Sequence, residues 1–123
     1  MNRDLAKELV RKYVDGWKEG DSAKITDPLG SSCVIIESHG PRYNGVEEVK
    51  KWFQNWRQNG VVLKWNVTSF YFLEKENTAF FEWDFACKTT EKDHEFLGIS
   101  VVQFSEDKIS FIHEYRMIKG KGA

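Results

Sequence analysis

The fold is decided by Val61-Val-Leu-Lys-Trp-Asn-Val-Thr-Ser-Phe-Tyr-Phe-Leu-Glu-Lys75, the pair Glu76-Asn77, and Thr78-Ala-Phe-Phe-Glu-Trp-Asp-Phe-Ala-Cys-Lys-Thr-Thr90. Aromatic and β-branched residues at a two-residue period read as strands. A connection this short forces the two strands to run antiparallel. His94–Ser105 and Lys108–Ile118 repeat the pattern, with turns at Glu91-Lys92-Asp93 and Glu106-Asp107. Strands of this length twist and curl, so the meander is expected to be curved.

Upstream the period is helical. Leu5, Leu9, Tyr13 and Trp17 recur every fourth residue, flanked by Ala6, Val10 and Val14, which predicts a helix over 2–19. Asn2 or Asp4 suits its cap and Gly20 its left-handed stop. Asp21 caps a short second helix (SAKIT), which Pro28 and Gly30 close. Cys33–Ser38 is a β-branched run leading into the turn-rich segment 39–45. Val46–Gln58 is again helical, with Val46, Val49, Phe53 and Trp56 on one face and Trp52 beside them. Helices first and a strand meander after them is an α+β pattern: a cone-shaped curved antiparallel sheet wrapped around three helices from the N-terminal half. Side chains cannot fill the wide end of such a cone, which leaves a pocket for a small hydrophobic or aromatic molecule.

Composition narrows the function. The 123 residues fit one domain, 1–123, with a frayed tail at 119–123. Eighteen basic residues are interspersed with nineteen acidic ones, a net charge of -1, so neither a nucleic-acid partner nor a membrane surface is expected. A charged opening segment and the lack of any long apolar run predict a cytoplasmic chain without a membrane span. Cys33 and Cys87 sit in apolar strand-like runs, with no CxxC and no ligand-like spacing to a histidine, and read as buried free thiols. No metal and no cofactor are expected. GxSxG, P-loop, HExxH and GxGxxG motifs are all missing, so serine hydrolysis, nucleotide binding and zinc catalysis lack support.

Cys33-Val-Ile-Ile-Glu-Ser-His-Gly, followed by Tyr43-Asn-Gly-Val-Glu-Glu-Val-Lys-Lys-Trp-Phe, resembles the first strand, the glycine and the third helix of the nuclear-transport-factor-2-like superfamily. Val101-Val-Gln-Phe-Ser-Glu-Asp-Lys-Ile with Ile112-His-Glu-Tyr resembles its closing hairpin, and the likeness spans roughly residues 4 to 118. The branch most similar is the SnoaL-like and ketosteroid-isomerase-like one. This resemblance implies a cystatin-like α+β barrel, often a homodimer through the outer sheet face. The fold hosts isomerases, cyclases, hydrolases, dehydratases and proteins that only bind. The isomerase base position falls near Glu37, and a helix-one tyrosine that bonds substrate oxygen falls near Tyr13. The family's neutral acid falls near Ser100, which cannot play that part and is instead counted among the substrate contacts. The epoxide-hydrolase pattern falls near Glu82, Asp84 and Glu114, but without its central arginine.

Read residue by residue, Glu37 ends an apolar strand, where a dry cone destabilises its charged form and favours base chemistry; a solvated strand end is the alternative. His39 shares its parity and suits a proton shuttle or a mere turn residue. The simple alternation around Phe80-Phe-Glu-Trp-Asp-Phe points Trp83 inward and Asp84 outward, whereas a dimerising sheet reverses this and brings Asp84 into the cone. Glu114 and Arg116 share one face of the last strand, where an inward Arg116 would bind an anion or neutralise an acid. Trp17, Trp56 and Trp83, with Tyr13, Trp52 and Trp65, are too many large rings for a tight small core and are expected to shape the pocket. Two functions follow: carboxylate acid–base catalysis by Glu37, Asp84 and Glu114 without a cofactor, or a non-catalytic ligand-binding or dimeric scaffold protein. An apolar strand face with Phe111 and Tyr115 supports the expected homodimer.

Overall fold

The computed structural model describes residues 1–117, so the expected frayed tail lies outside the described residues. Helix α1 spans Arg3–Glu19; Asn2 Oδ1 accepts from the Leu5 N–H at its start, and Gly20 ends it at φ 69°. The left-handed Gly20 N–H returns to the Gly16 carbonyl, the stop that its sequence position predicts. Asp21 caps α2 (Ser22–Thr26) by accepting from the Ala23 and Lys24 N–H groups. β1 (Leu29–Ile36), a short β2 (Arg42–Asn44) and α3 (Gly45–Arg57) follow. The meander is β3 (Gly60–Leu73), β4 (Thr78–Thr89), β5 (Asp93–Ser105) and β6 (Lys108–Arg116). Glu106 and Asp107 both take positive φ (53° and 61°), as a two-residue hairpin between twisted strands demands.

All six strands form one open sheet in the order β2-β1-β6-β5-β4-β3. The meander pairs antiparallel as expected, but β1 lies parallel to β6, so the sheet is mixed rather than wholly antiparallel. No short turn joins those two strands; most of the chain intervenes, which leaves their relative direction free. The expected barrel does not close, because β2 and β3 remain at opposite edges. β2 was expected to be turn; it pairs with β1 through Ile35–Tyr43 and Ile36–Arg42.

The helices cover one face of the sheet. Ala6, Val10, Tyr13 and Val14 of α1 and Val49 and Phe53 of α3 are buried with Cys33 and Ile35 of β1, Phe81 of β4, and Ile109 and Ile112 of β6. Burying each large apolar side chain is worth ~1.5–3 kcal/mol, which makes this face the main source of stability. Alternation along β1 and β6 then fixes what comes next. The inward series Cys33, Ile35 continues to residue 37, and Ile112 continues to residues 114 and 116.

Candidate functional site

The curved sheet and the helices enclose a cavity of about 730 Å³. Tyr13 and Trp17 of α1, Trp52 and Trp56 of α3, and Trp65, Trp83, Phe85 and Phe96 of the sheet give it an aromatic wall. Trp17 packs against Trp52 at 4.6 Å and edge-on to Trp56 at 5.8 Å between ring centroids. Trp83 meets Trp65 edge-on at 6.2 Å and Phe96 at 5.8 Å. Edge-to-face contacts of this kind lock ring orientations as well as burying area.

Two carboxylates enter this aromatic space. Glu37 follows Ile36 and Glu114 follows His113, and Ile36 and His113 are register partners on the parallel strands β1 and β6. Continuing that register places Glu37 and Glu114 as neighbours, about one interstrand spacing of 4.8 Å between their backbones. Both line the cavity. The Glu37 backbone is held on both sides: its N–H donates to the Pro41 carbonyl at 2.9 Å and its carbonyl accepts from Gly40 N–H at 3.0 Å. Gly40 has φ 114°, a conformation that admits glycine readily and other residues rarely.

Their surroundings differ. The Tyr43 hydroxyl donates to Glu37 Oε2 at 3.0 Å, and His39 Nε2 lies 3.6 Å from the same oxygen. Burial raises the Glu37 pKa, while the Tyr43 bond and the nearby imidazole pull it back down. Glu114 has no side-chain donor among the described residues, and burial, followed by the neighbouring Glu37, pushes it up to about 8. Burial and the adjacent Glu37 likewise keep Tyr43 a protonated phenol.

Most of the expected site residues meet here: Tyr13, Trp17, Glu37, His39, Trp56, Trp83, Glu114 and Arg116 all line the cavity. Tyr13 does so with a qualification of geometry. Its Oη, Trp17 Nε1 and Trp65 Nε1 are sealed from solvent without a partner among the described residues. Asp84 and Ser100 do not line the cavity. Asp84 faces the outer side of β4, where Lys64 Nζ donates to its Oδ2 at 3.1 Å and also reaches Glu95 at 3.3 Å. The reversed parity that would bring it inward does not occur, because Phe81, Trp83 and Phe85 take the inward positions. Ser100 is fully buried behind Trp83 and accepts the indole N–H at 2.9 Å. It positions a wall residue from behind the cavity surface.

Tyr43, which lines the cavity and bonds Glu37, is the residue of this site that the sequence reading did not single out. Its partner Ile35 faces inward, so Tyr43 does too, stacked on Trp52 at 4.2 Å. The apolar tyrosine between charged neighbours in Arg42-Tyr43-Asn44 was the available signal. Cys87 and His94, register partners on β4 and β5, also line the cavity. Burial raises the Cys87 thiol, and it raises that of Cys33 to about 11. Both therefore stay thiols at neutral pH.

The SnoaL-like domain model matches residues 10–112. The chain belongs to the SnoaL-like family. Its structure is similar to that of an LEH-like epoxide hydrolase from M. tuberculosis (TM-score 0.82, 12% identity, covering 93% of this chain and 84% of that one). It also resembles a Catenulispora acidiphila protein with a ketosteroid isomerase-like fold, solved with trimethylamine (TM-score 0.77, 12% identity, coverage 88% and 84%). A Methylobium petroleophilum protein of unknown function with a cystatin-like fold is a third (TM-score 0.77, 19% identity, coverage 100% and 83%). At these identities the likeness shows the fold alone. No curated protein matches the sequence significantly. Among the described residues no helix is long and apolar enough to cross a membrane.

Proposed function

We propose that the protein is a cofactor-free enzyme that moves a proton on a small apolar molecule, with isomerisation, cyclisation or hydration as the reaction class. The observation that carries this reading is the Glu37–Glu114 pair in an aromatic cavity, where the two carboxyl groups are neighbours in unlike surroundings. Two acids whose environments separate their protonation states divide into a base and an acid. Glu37, given a hydrogen bond by Tyr43, is the ionised partner and takes a proton from a carbon beside a carbonyl. Glu114, held protonated, donates to the carbonyl oxygen as negative charge develops there. The resulting enol collapses when Glu37 gives its proton to carbon, at a new position if the product is an isomer, and Glu114 takes back the enol O–H proton, which restores the carbonyl and both side chains. The aromatic wall excludes water and orients the ring.

The test is turnover and binding measured together on a panel of cyclic enones and β-keto compounds. Glu37→Gln is expected to lower turnover by about 10²–10⁴-fold while keeping ligand affinity. If wild type and variant bind the panel equally and neither turns any member over, the pocket is a binding site only.

We also propose that a second copy of the chain covers the outer sheet face. Tyr71, Leu97 and Tyr115 are 59%, 49% and 47% exposed on that side, beside half-buried Phe80, Ile99 and Val101. A patch of this kind needs cover. Sedimentation at micromolar concentration is expected to give a dimer, and a 14.4 kDa species contradicts it.

A further inference from the structure

We infer that the rim of the cavity is an anion subsite in which Arg116, at the end of β6, holds a carboxylate carried by the ligand, so that the ligand is a ring-sized apolar carboxylic acid with its reacting end inward at Glu37 and Glu114. This names the ligand class for the cavity and rests on the proposed ligand-accepting role of that cavity.

Four observations converge on it. Arg116 lines the cavity and is the final residue of β6, two positions beyond Glu114 on the same strand face. Its guanidinium carbon lies 5.4 Å from the centroid of the Phe96 ring. Stacking of that kind fixes the plane of the group and leaves its N–H edge free for a two-pronged carboxylate bond. Arg116 forms no ion pair among the described residues, whereas Lys64 is engaged by Asp84 and Glu95. The only acids among the lining residues are Glu37 and Glu114, and neither lies within ion-pair distance of it. The other basic groups of the lining are His39, already beside Glu37, and His94, two residues along β5 from Phe96 and without a side-chain hydrogen bond among the described residues. An unspent, oriented cation therefore stands at the wet end of a pocket whose body is apolar. A guanidinium meets a carboxylate with two parallel N–H···O bonds and opposite charge, and a neutral amide offers it neither.

The probes are matched carboxylates and primary amides of rising ring size: benzoate, 2-naphthoate and 9-anthracenecarboxylate, each against its amide, titrated by quenching of the tryptophan fluorescence. The wild-type protein is expected to prefer the carboxylate of the best-fitting pair by about tenfold at low salt, with the preference shrinking as salt rises. Arg116→Met should abolish the preference while the amide binds as before, and Arg116→Lys should restore part of it. Unchanged amide affinity shows that Arg116→Met still folds with an intact pocket. Equal affinity for acid and amide in the wild type, a preference that survives Arg116→Met, or no binding by any probe at millimolar concentration overturns the subsite. A Glu37→Gln protein that turns substrates over as wild type does sinks the catalytic reading without touching this one, which is read from the Arg116 variants alone.

Discussion

Glu37 and Glu114 each stand one residue beyond a register pair, Ile36 and His113, on the only parallel strands among the described residues. Parallel neighbours advance in the same direction, so two acids at equal distance past a pair arrive at the cavity together. An antiparallel β1 would carry Glu37 away from Glu114 instead. The chemistry proposed for the protein thus depends on one strand direction.

Burial raises the Glu37 pKa, and the Tyr43 hydrogen bond opposes it. Tyr43→Phe removes a donor that favours the carboxylate, and a bond of about 1 kcal/mol corresponds to roughly 0.7 of a pH unit. The acid limb of the rate–pH profile should move up by about that amount, with the alkaline limb nearly unmoved. A profile identical to wild type contradicts the role given to the tyrosine.

Glu114 makes stability depend on pH in an unusual direction for an acid. Its pKa is near 4.5 when free and about 8 in the fold. Between those values the folded chain retains a proton that the unfolded chain has released, so stability is full at the acid end and falls as pH rises towards 8. Glu114→Gln cannot ionise and should flatten this slope, leaving the variant more stable than wild type at pH 8 to 9. Denaturant melts of both proteins across pH 5 to 9 measure it; parallel curves count against a buried acid.

Gly98 is a glycine because of Trp83. A Cβ there would overlap the Trp83 ring and the Tyr115 carbonyl oxygen. Gly98→Ala should cost about 1–3 kcal/mol by overpacking and displace the indole from Ser100 into the cavity. Ligand affinity should fall with stability, and a crystal structure of the variant shows whether the ring has moved.

Asp84 is outside the chemistry. Asp84→Asn weakens the partly exposed bridge to Lys64 and should change stability by about 0–1 kcal/mol while turnover stays at the wild-type level. A hundredfold loss of turnover would place a carboxylate on the outer face in the mechanism after all.

These residues also show what the sequence could reveal. The helices and the meander were legible because period and turn chemistry are local properties, whereas the direction of Glu37 at the end of its strand stayed open between cavity and solvent. The simple alternation points Trp83 inward and Asp84 outward, as the structure has them; only the alternative of a dimerising sheet turns Asp84 into the cone. Ser100 was opaque for a different reason: a small polar residue on a strand is ambiguous until its cross-strand neighbours are known, and here Trp83 claims it from seventeen residues away. Tyr43 was hidden by its turn-like surroundings, since a three-residue strand leaves almost no periodic signal. The parallel pairing of β1 with β6 is a long-range choice that no local pattern records.

Carboxyl carbon resonances of Glu37 and Glu114, assigned by single substitution and followed by NMR from pH 3 to 10, address the central idea most directly. Two linked steps are predicted, the later one near 8 with Glu114 carrying most of it, and the earlier one above the ordinary glutamate value. If both carbons titrate together near 4.3, as free glutamates do, the cavity holds no tuned acid–base pair.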